Sequence, residues 1–310
     1  MARDWHEDFK RWAKPPSETE EQKASNAASM INDAIRASPA LARRGVSVYA
    51  TGSYRNNTNV RLGSDIDVAI VLNDGMFFDL PIGLTAAQVG ITVPLDYGLA
   101  DFRSDVALAL TAKFGHGGVK PGKKTFNITA NSYRLEADAT VFLQYRRYTG
   151  AKTAAGGWHY EQGVELRPAD NPNARVINWH DDHYAHGIVR NDATGRRFKR
   201  VTRILKRLRD EMSESGRAEA QRAAKPMNSF LIECLVFNAS DACFGRVQGS
   251  YYEDVRAVIG ELWQKTEDDV VCTFDEVNRK KKLFGPGQDW TQQQANKFLY
   301  EAWLHAGYGR

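Results

Sequence analysis

The segment Thr51-Gly52-Ser53-Tyr54-Arg55-Asn56-Asn57-Thr58, followed by Ser64-Asp65-Ile66-Asp67-Val68-Ala69-Ile70-Val71-Leu72, decides the fold of this chain. The β-branched residues of the second segment predict a strand over Ile66 to Leu72. Side chains alternate along a strand, so Asp65 and Asp67 share one face while Ile66, Val68 and Ile70 face a core. Neighbouring carboxylates repel each other and resist desolvation unless cations neutralise them. The pattern predicts a metal site; the alternative is two acids on a solvent-facing strand.

The turn before this strand has residues suited to binding phosphate. Gly52 permits close backbone approach, and exposed amides and the Ser53 hydroxyl can donate hydrogen bonds to phosphate oxygens. A Gly-Ser pair alone occurs in many surface turns. Its place directly before an Asp-x-Asp strand is informative, because phosphoryl chemistry needs a triphosphate held beside the metal ligands.

The segment Arg134 to Phe142 offers the further acidic ligand that a two-metal site usually needs. Strand alternation places Glu136 and Asp138 on one face, so spacing alone leaves both open. We favour Asp138, because the small neighbours Ala137 and Ala139 allow close strand packing. Glu136 is then an exposed acid or a neighbour of the ligands, and an ordinary surface role remains the alternative for Asp138.

The composition indicates a globular protein of 310 residues, with 42% hydrophobic and 26% charged residues. Lys and Arg number 42 against 38 Asp and Glu, a net charge of +4 that is too small to indicate nucleic-acid or membrane binding. The three cysteines, Cys234, Cys243 and Cys272, lack Cys-x-x-Cys spacing and fit a reducing cytoplasm. The N-terminus has no apolar signal core, and no apolar run is long enough to span a bilayer.

Hydrophobic periodicity divides the chain into a mixed α/β half and a helical half. We place the boundary between residues 1–165 and 166–310, because residues 150–182 are rich in Gly, Pro, Asn and Asp. The first half has predicted helices from Ser17 to Ala37 and from Ala100 to Phe114, and extended segments at 46–51, 66–72, 124–129 and 133–145. Residues 52–63 are predicted as a polar turn and 163–167 as a short strand. Four helices are predicted beyond the boundary, at 194–212, 228–238, 251–266 and 291–305.

The first of these four helices has an apolar face and a basic face. Val201, Ile204, Leu205 and Leu208 follow helical spacing, and Lys206 lies at the border of the basic face. A helix that is packed on one side and cationic on the other suits a phosphate site. The alternative is a solvated surface.

Three histidines at three-residue spacing, His180, His183 and His186, could bind zinc. No cysteine lies nearby, and the start of a solvated helix explains the same pattern. We therefore expect structural histidines.

These motifs together resemble the bacterial cGAS/DncV-like nucleotidyltransferases, or CD-NTases, of the polymerase-beta-like superfamily. The resemblance rests on residues 52–58 and 64–67, and continues through Asp138, residues 177–191, the helix 197–209 and Asn228-Ser229-Phe230-Leu231-Ile232-Glu233. It spans most of the chain. It implies an α+β fold, in which a mixed sheet with helices packs on a helical C-terminal lobe that completes the nucleotide cleft.

The resemblance also implies an activity, cofactors and site residues. Such enzymes join nucleoside triphosphates, here most simply ATP or GTP, into cyclic di- or trinucleotides that activate a separate effector protein in anti-phage defence. Asp65, Asp67 and Asp138 would bind two Mg²⁺ or Mn²⁺ ions. Gly52, Ser53, Lys206 and Ser229 would contact the donor triphosphate, and Phe230 would stack on a base. No membrane and no nucleic-acid template is expected.

Two other functions remain open from the sequence. A polymerase-beta-like enzyme could instead modify RNA, a protein or a small molecule, although an RNA-binding appendage or a basic tail is not visible. An inactive nucleotide sensor could use the same pocket only for binding, but the acids at all three positions argue against it.

Overall fold

The structure, a computed structural model, describes residues 3–60, 65–93 and 96–309. Ser64 of the aspartate motif and residues 61–63 of the predicted polar turn lie outside the described residues. Packing divides the described chain into two units. The sheet unit comprises residues 18–54 and 65–180, and the helical unit comprises the described residues within 1–17, 55–64 and 181–310.

The sheet unit has seven strands among the described residues, in the order β1-β2-β5-β4-β3, with β6 beside β5 and β7 beside β6. The parallel pair β2 and β5 is central, and the other neighbours are antiparallel. Strand β5 pairs with β4 near its start and with β6 further along, so it contacts three strands. The strands are β1 (Val46–Thr51), β2 (Ile66–Asp79), β3 (Val119–Pro121), β4 (Thr125–Ile128), β5 (Ala137–Lys152), β6 (Trp158–Leu166) and β7 (Val176–Asn178).

The helices follow the same two units. The sheet unit contains α2 (Glu18–Ala37) and α4 (Leu99–Phe114), and the short α3 (Gly52–Asn56) crosses from one unit into the other along the chain. The helical unit contains α1 (Trp5–Trp12), α5 (His180–Ala193), α6 (Phe198–Glu214), α7 (Ala218–Ala224), α8 (Ser229–Phe237), α9 (Tyr252–Lys265) and α10 (Gln292–His305). Among residues 3–60, 65–93 and 96–309, no helix is both long enough and apolar enough to cross a membrane.

Strand β2 separates two apolar layers. Val68 and Ile70 belong to the core that α2 and α4 cover, whereas Ala69 and Val71 belong to a smaller cluster on the opposite face. Asp67 has the same alternation as Ala69 and Val71, so it lies on the face away from α2 and α4. The prediction that Ile66, Val68 and Ile70 face a core is confirmed, whereas the opposite face is acidic only at Asp67 and apolar beyond it.

The helical unit has its own core. Val201, Ile204, Leu205 and Leu208 of α6 are each 0% exposed and pack with residues of α8, α9 and α10. Asn228 Oδ1 accepts a hydrogen bond from Leu231 N at 2.7 Å, and Thr291 forms a capping box with Gln294. Asn228 and Thr291 are therefore the N-caps of α8 and α10.

Several local predictions differ from the structure. The predicted polar turn begins as helix α3, and the region 150–182 contains the regular strands β6 and β7. The sheet thus extends past residue 165, and the sequence-based division at 165/166 differs from the packing division near residue 180. The helix predicted from Thr194 begins at Phe198, although Thr194 Oγ1 does accept a hydrogen bond from Phe198 N at 3.0 Å. The helices α1 and α7 were not predicted.

Candidate active site

Two predicted carboxylates lie side by side on the central strands. Asp67 and Asp138 are register partners of the parallel pair β2 and β5. Hydrogen-bonded strands are about 4.8 Å apart, so these side chains emerge as neighbours on the face opposite α2 and α4. The sequence placed each acid on a strand, and the strand pairing brings the two together.

Asp65 lies just before β2, where the negative charges of neighbouring acids act on it. Burial raises the pKa of Asp65, and the negative charges of Glu136 and Asp138 raise it further. The carboxylates of Glu136 and Asp138 are therefore close enough to Asp65 to repel its negative charge. A bound cation would relieve this repulsion, which is the electrostatic signature of a metal-binding position.

Asn127 of β4 contributes a donor that sequence analysis missed. Its Nδ2 lies 2.7 Å from Glu136 Oε1 and 3.4 Å from Asp138 Oδ1, and Asn127 is the register partner of Asp138. The amide therefore holds the two acids beside each other. In the sequence, the feature that could have indicated Asn127 is its position as a polar residue between Phe126 and Ile128, both of which are buried.

Gly52 packs directly against Asp67. Its φ of +61° is in the left-handed region, and a Cβ built there would lie 2.1 Å from Asp67 Oδ2 and 2.9 Å from its Cγ. Only glycine fits this position, because both the backbone conformation and the carboxylate exclude a side chain. Ser53 follows as the second residue of α3 and is partly exposed.

The donor set suits Mg²⁺ or Mn²⁺, which prefer carboxylate oxygen. Among residues 3–60, 65–93 and 96–309, no group of three acidic, histidine or cysteine side chains is already arranged around a metal position. Mg²⁺ commonly uses one or two carboxylates and takes its other ligands from substrate phosphates and water. Asp67 and Asp138, with Asp65 beside them, fit this requirement.

Lys206 lies in a buried ionic cluster of the helical unit. Its Nζ donates to Thr58 O at 3.0 Å, Thr58 Oγ1 at 3.2 Å and Glu233 Oε2 at 3.3 Å. The side chain of Lys206 is 2% exposed, so the expectation of a border position on an exposed basic face is wrong. Helical periodicity could not reveal that Thr58 and Glu233, distant in sequence, cover this position. Phosphate binding by Lys206 stays a prediction, and it would require Nζ to release one of these partners.

Glu233 has a partner for each carboxylate oxygen. His183 Nε2 lies 2.9 Å from Oε1, and the Thr58 hydroxyl donates to Oε2 at 2.6 Å. Burial alone would raise the pKa of Glu233, but the charge of Lys206 and the hydrogen bonds from His183 and Thr58 outweigh it and lower the pKa to about 2. Burial lowers the pKa of Lys206, and the charge of Glu233 opposes that effect. We infer an ionised pair at neutral pH.

The predicted histidine cluster does not form a zinc site within the described residues. His183 contacts Glu233, His186 Nδ1 lies 3.0 Å from Val277 O, and His180 Nδ1 lies 3.4 Å from the Tyr49 hydroxyl. Each imidazole has a different partner, as expected for structural histidines.

Ser229 and Phe230 begin α8. Arg209 Nη2 lies 3.5 Å from Ser229 Oγ, and the Phe230 ring packs 5.6 Å from the His183 ring and 6.0 Å from the Trp290 ring, centroid to centroid. Both residues are partly exposed. Their roles in nucleotide binding stay predictions.

Two family models match the chain. The nucleotidyltransferase domain matches residues 34–90, which include Gly52, Ser53, Asp65 and Asp67. The cGAS/DncV-like nucleotidyltransferase C-terminal helical domain matches residues 185–307, which include Lys206, Ser229 and Phe230. Asp138 lies between the two matched ranges.

Known proteins match over nearly the whole chain. The cyclic dipyrimidine nucleotide synthase CdnE of Legionella pneumophila is 37% identical, covering 98% of this chain and 99% of the relative. A cyclic dipurine nucleotide synthase of Elizabethkingia meningoseptica is 30% identical, covering 96% of both. The solved CdnE c-UMP-AMP synthase of Rhodothermus marinus, with Apcpp and Upnpp, is 29% identical with a TM-score of 0.81, covering 99% of this chain and 98% of that one.

These similarities agree with the fold. The mixed sheet with helices and the helical C-terminal domain, expected from the resemblance, are confirmed. The chain belongs to the cGAS/DncV-like nucleotidyltransferase family.

Proposed function

We propose that this chain is a metal-dependent, template-independent nucleotidyltransferase that joins nucleoside triphosphates into a cyclic di- or trinucleotide and releases pyrophosphate. The observation that carries the proposal is the pairing of Asp67 with Asp138 on adjacent strands, with the backbone of Gly52 packed against Asp67. The names of the Legionella and Elizabethkingia relatives support the cyclic product.

In the proposed reaction, a ribose hydroxyl oxygen attacks the α-phosphorus of a donor triphosphate. The new phosphorus–oxygen bond replaces the bond to pyrophosphate, which leaves, and the hydroxyl proton passes to solvent. Two bound divalent cations would lower the pKa of the hydroxyl and stabilise charge on pyrophosphate. Asp65, Asp67 and Asp138 would hold them, with Asp138 nearest the hydroxyl. A second transfer within the linear intermediate closes the ring.

The remaining site residues bind and orient the substrate. The Ser53 hydroxyl and the amides near Gly52 hold the triphosphate through hydrogen bonds to its oxygens. In the helical unit, Ser229 and Lys206 contact phosphate and Phe230 stacks on a base. The partial exposure of Ser229 and Phe230 supports their roles, whereas Lys206 must exchange a buried partner to reach phosphate.

The substrates are nucleoside triphosphates, and the relatives differ in the bases they use. The Legionella relative is named as a dipyrimidine synthase, so UTP and CTP join ATP and GTP as proposed substrates. We place the enzyme in the cytoplasm, where its product would activate a separate effector protein in anti-phage defence.

Two alternatives remain from the sequence. Modification of RNA, a protein or a small molecule would use the same acids but require a different acceptor. An inactive sensor would bind nucleotide without releasing pyrophosphate.

Pyrophosphate release from mixed ATP, GTP, CTP and UTP with Mg²⁺ or Mn²⁺ separates these functions. The full chain should release pyrophosphate without RNA or added protein. The Asp65→Asn and Asp67→Asn variants should lose at least about a thousandfold in rate, about 4 kcal/mol in activation free energy, while keeping their fold by circular dichroism. Binding without release would support the sensor, and release that requires an added acceptor would support the modifying enzyme.

A further inference from the structure

A cavity lies in the sheet unit, on the hairpin of β5 and β6. Its volume is about 470 Å³, within the range of small-molecule sites. Its walls include Gln88, Arg146, Tyr148, Lys152, Trp158 and Tyr160. Arg146 and Asp138 are an even number of residues apart on β5, so their side chains lie on the same face of the strand. Arg146 is roughly 26 Å further along the strand. The cavity is therefore separate from the acidic positions, although it opens on the same face of this strand.

Aromatic rings form one part of this cavity. Tyr148 and Tyr160 are register partners, and their ring centroids are 5.4 Å apart. Trp158 alternates with Tyr160 on β6 and so lies on the same face. Trp158 Nε1 donates to Gln88 O at 2.8 Å, which satisfies its only polar atom and fixes the ring in the wall. The rings offer flat apolar surfaces to a planar ligand.

Two cations form the other part. The Arg146 guanidinium lies 4.4 Å from the Tyr160 ring centroid, and Lys152 Nζ lies 3.6 Å from the Trp158 centroid. Arg146 Nε is buried without a hydrogen-bond partner among the described residues, and neither cation forms a salt bridge there. The lining contains no carboxylate. Two positive charges with no carboxylate beside them favour an anionic ligand.

Glycines contribute to the wall of the cavity. Gly90 and Gly156 both line it, and a Cβ at either position would meet no atom within 4 Å. Hence no side chain of these positions fills the space between the rings and the cations.

We propose that this cavity is a second nucleotide-binding site, which takes a nucleoside phosphate. A nucleobase stacks on aromatic faces in a sequence-tolerant way, while its phosphate binds arginine and lysine. A simple anion would leave the rings unused, and a neutral aromatic compound would leave the charges of Arg146 and Lys152 without a partner of opposite charge. The cavity fits one nucleotide, so the ligand is a mononucleotide and not a nucleic-acid strand.

Equilibrium dialysis of AMP and UMP against the full chain in EDTA tests the proposal, because it measures binding without turnover. Both nucleotides should bind, and adenosine or inorganic phosphate alone should bind at least about tenfold more weakly. The double variant Arg146→Gln/Lys152→Gln should weaken AMP binding at least about tenfold. Lys120→Gln/Lys124→Gln removes the same charge at exposed positions of β3 and the turn before β4, and should bind AMP like the wild type.

Photolabelling of the wild-type chain with 8-azido-AMP gives a second reading that needs no variant. The label should map to peptides containing residues 146–160 and disappear with excess AMP. Unchanged AMP affinity in the Arg146/Lys152 variant, labelling confined to peptides outside this cavity, or equal binding of inorganic phosphate alone would overturn the assignment. The Arg146/Lys152 variant and the labelled peptides report on this cavity and not on the acidic positions, so failure of this assignment is distinguishable from failure of the proposed synthase activity.

Discussion

At Gly52, backbone conformation and packing both exclude a side chain. A residue with a Cβ must adopt a positive φ and displace the Asp67 carboxylate, which would lie 2.1 Å away. Sequence analysis predicted close approach of the backbone to phosphate at this position. It could not reveal the contact with Asp67, because that contact depends on the pairing of β1 with β2.

We predict that Gly52→Ala lowers pyrophosphate release at least about a hundredfold, since a misplacement of about 1 Å in a catalytic group can have this effect. The strain should also reduce the free energy of unfolding by about 1–2 kcal/mol. Gly187→Ala is the control, because Gly187 lies in α5 and an added Cβ there meets no atom within 4 Å. Wild-type activity in Gly52→Ala would contradict the proposed role.

Lys206 shows how burial changes the expected effect of a substitution. Truncating it leaves Glu233 buried without its charged partner, which typically costs 3–5 kcal/mol. We predict that Lys206→Ala lowers the free energy of unfolding by about that amount, measured in urea. Arg207→Ala, at a side chain 37% exposed, should change it by less than about 0.5 kcal/mol. Normal stability with loss of triphosphate binding would instead assign Lys206 to phosphate.

The buried ionic cluster of Lys206, Glu233, His183 and Thr58 predicts a pH dependence of the free energy of unfolding. The pKa of Glu233 is about 2 in the fold, below its ordinary value of 4.5. Its stabilising contribution is therefore present above pH 4.5 and is lost as the pH falls toward 2, for a change of about 3 kcal/mol. Glu233→Gln should be less stable at pH 7 but lose less stability between pH 5 and 3 than the wild type. Parallel urea-unfolding curves for the two proteins over this range would contradict the ionised pair.

Among the elements, the register of β5 supports Asp138 over Glu136, the two acids that the sequence left open. Asp138 pairs with Asp67, whereas Glu136 precedes the strand and accepts a hydrogen bond from Asn127. We predict that Asp138→Asn reduces pyrophosphate release at least about a thousandfold. Glu136→Gln retains an acceptor oxygen for Asn127 and should reduce the rate less than about tenfold. Equal, large losses would mean that Glu136 is also a ligand.

Elements with strong local patterns could be predicted from the sequence. The capped helices α8 and α10 match the structure closely, and β2 begins at the predicted Ile66 but continues to Asp79, beyond the predicted end at Leu72. Strands β6 and β7 were obscured by glycine, proline and asparagine in the residues around them. Helix α1 is amphipathic but short, and Phe9 and Trp12 are stabilised by packing in the helical core. That packing is a tertiary effect, which local periodicity does not contain.

At the scale of the whole molecule, the sequence predicted a sheet-containing part and a helical part but not which segments join each. Residues 3–17 and 55–60 belong to the helical unit although they precede the strand β2 in the chain. Contacts such as Arg203 Nε to Ala13 O at 2.9 Å and Lys206 Nζ to Thr58 O at 3.0 Å join distant segments. Such long-range pairs explain why the boundary was harder to predict than the acids.

The proposed product is a ring. A linear product keeps a terminal phosphate, whereas a cyclic one has none, so phosphatase treatment followed by mass spectrometry separates them. The full chain is incubated with the four nucleoside triphosphates and Mg²⁺, and Asp67→Asn serves as the control. We expect a wild-type product whose mass is unchanged by phosphatase and which is absent from the control. Products that lose phosphate to become chains with free ends, or that form only when RNA is supplied, would contradict the cyclase function.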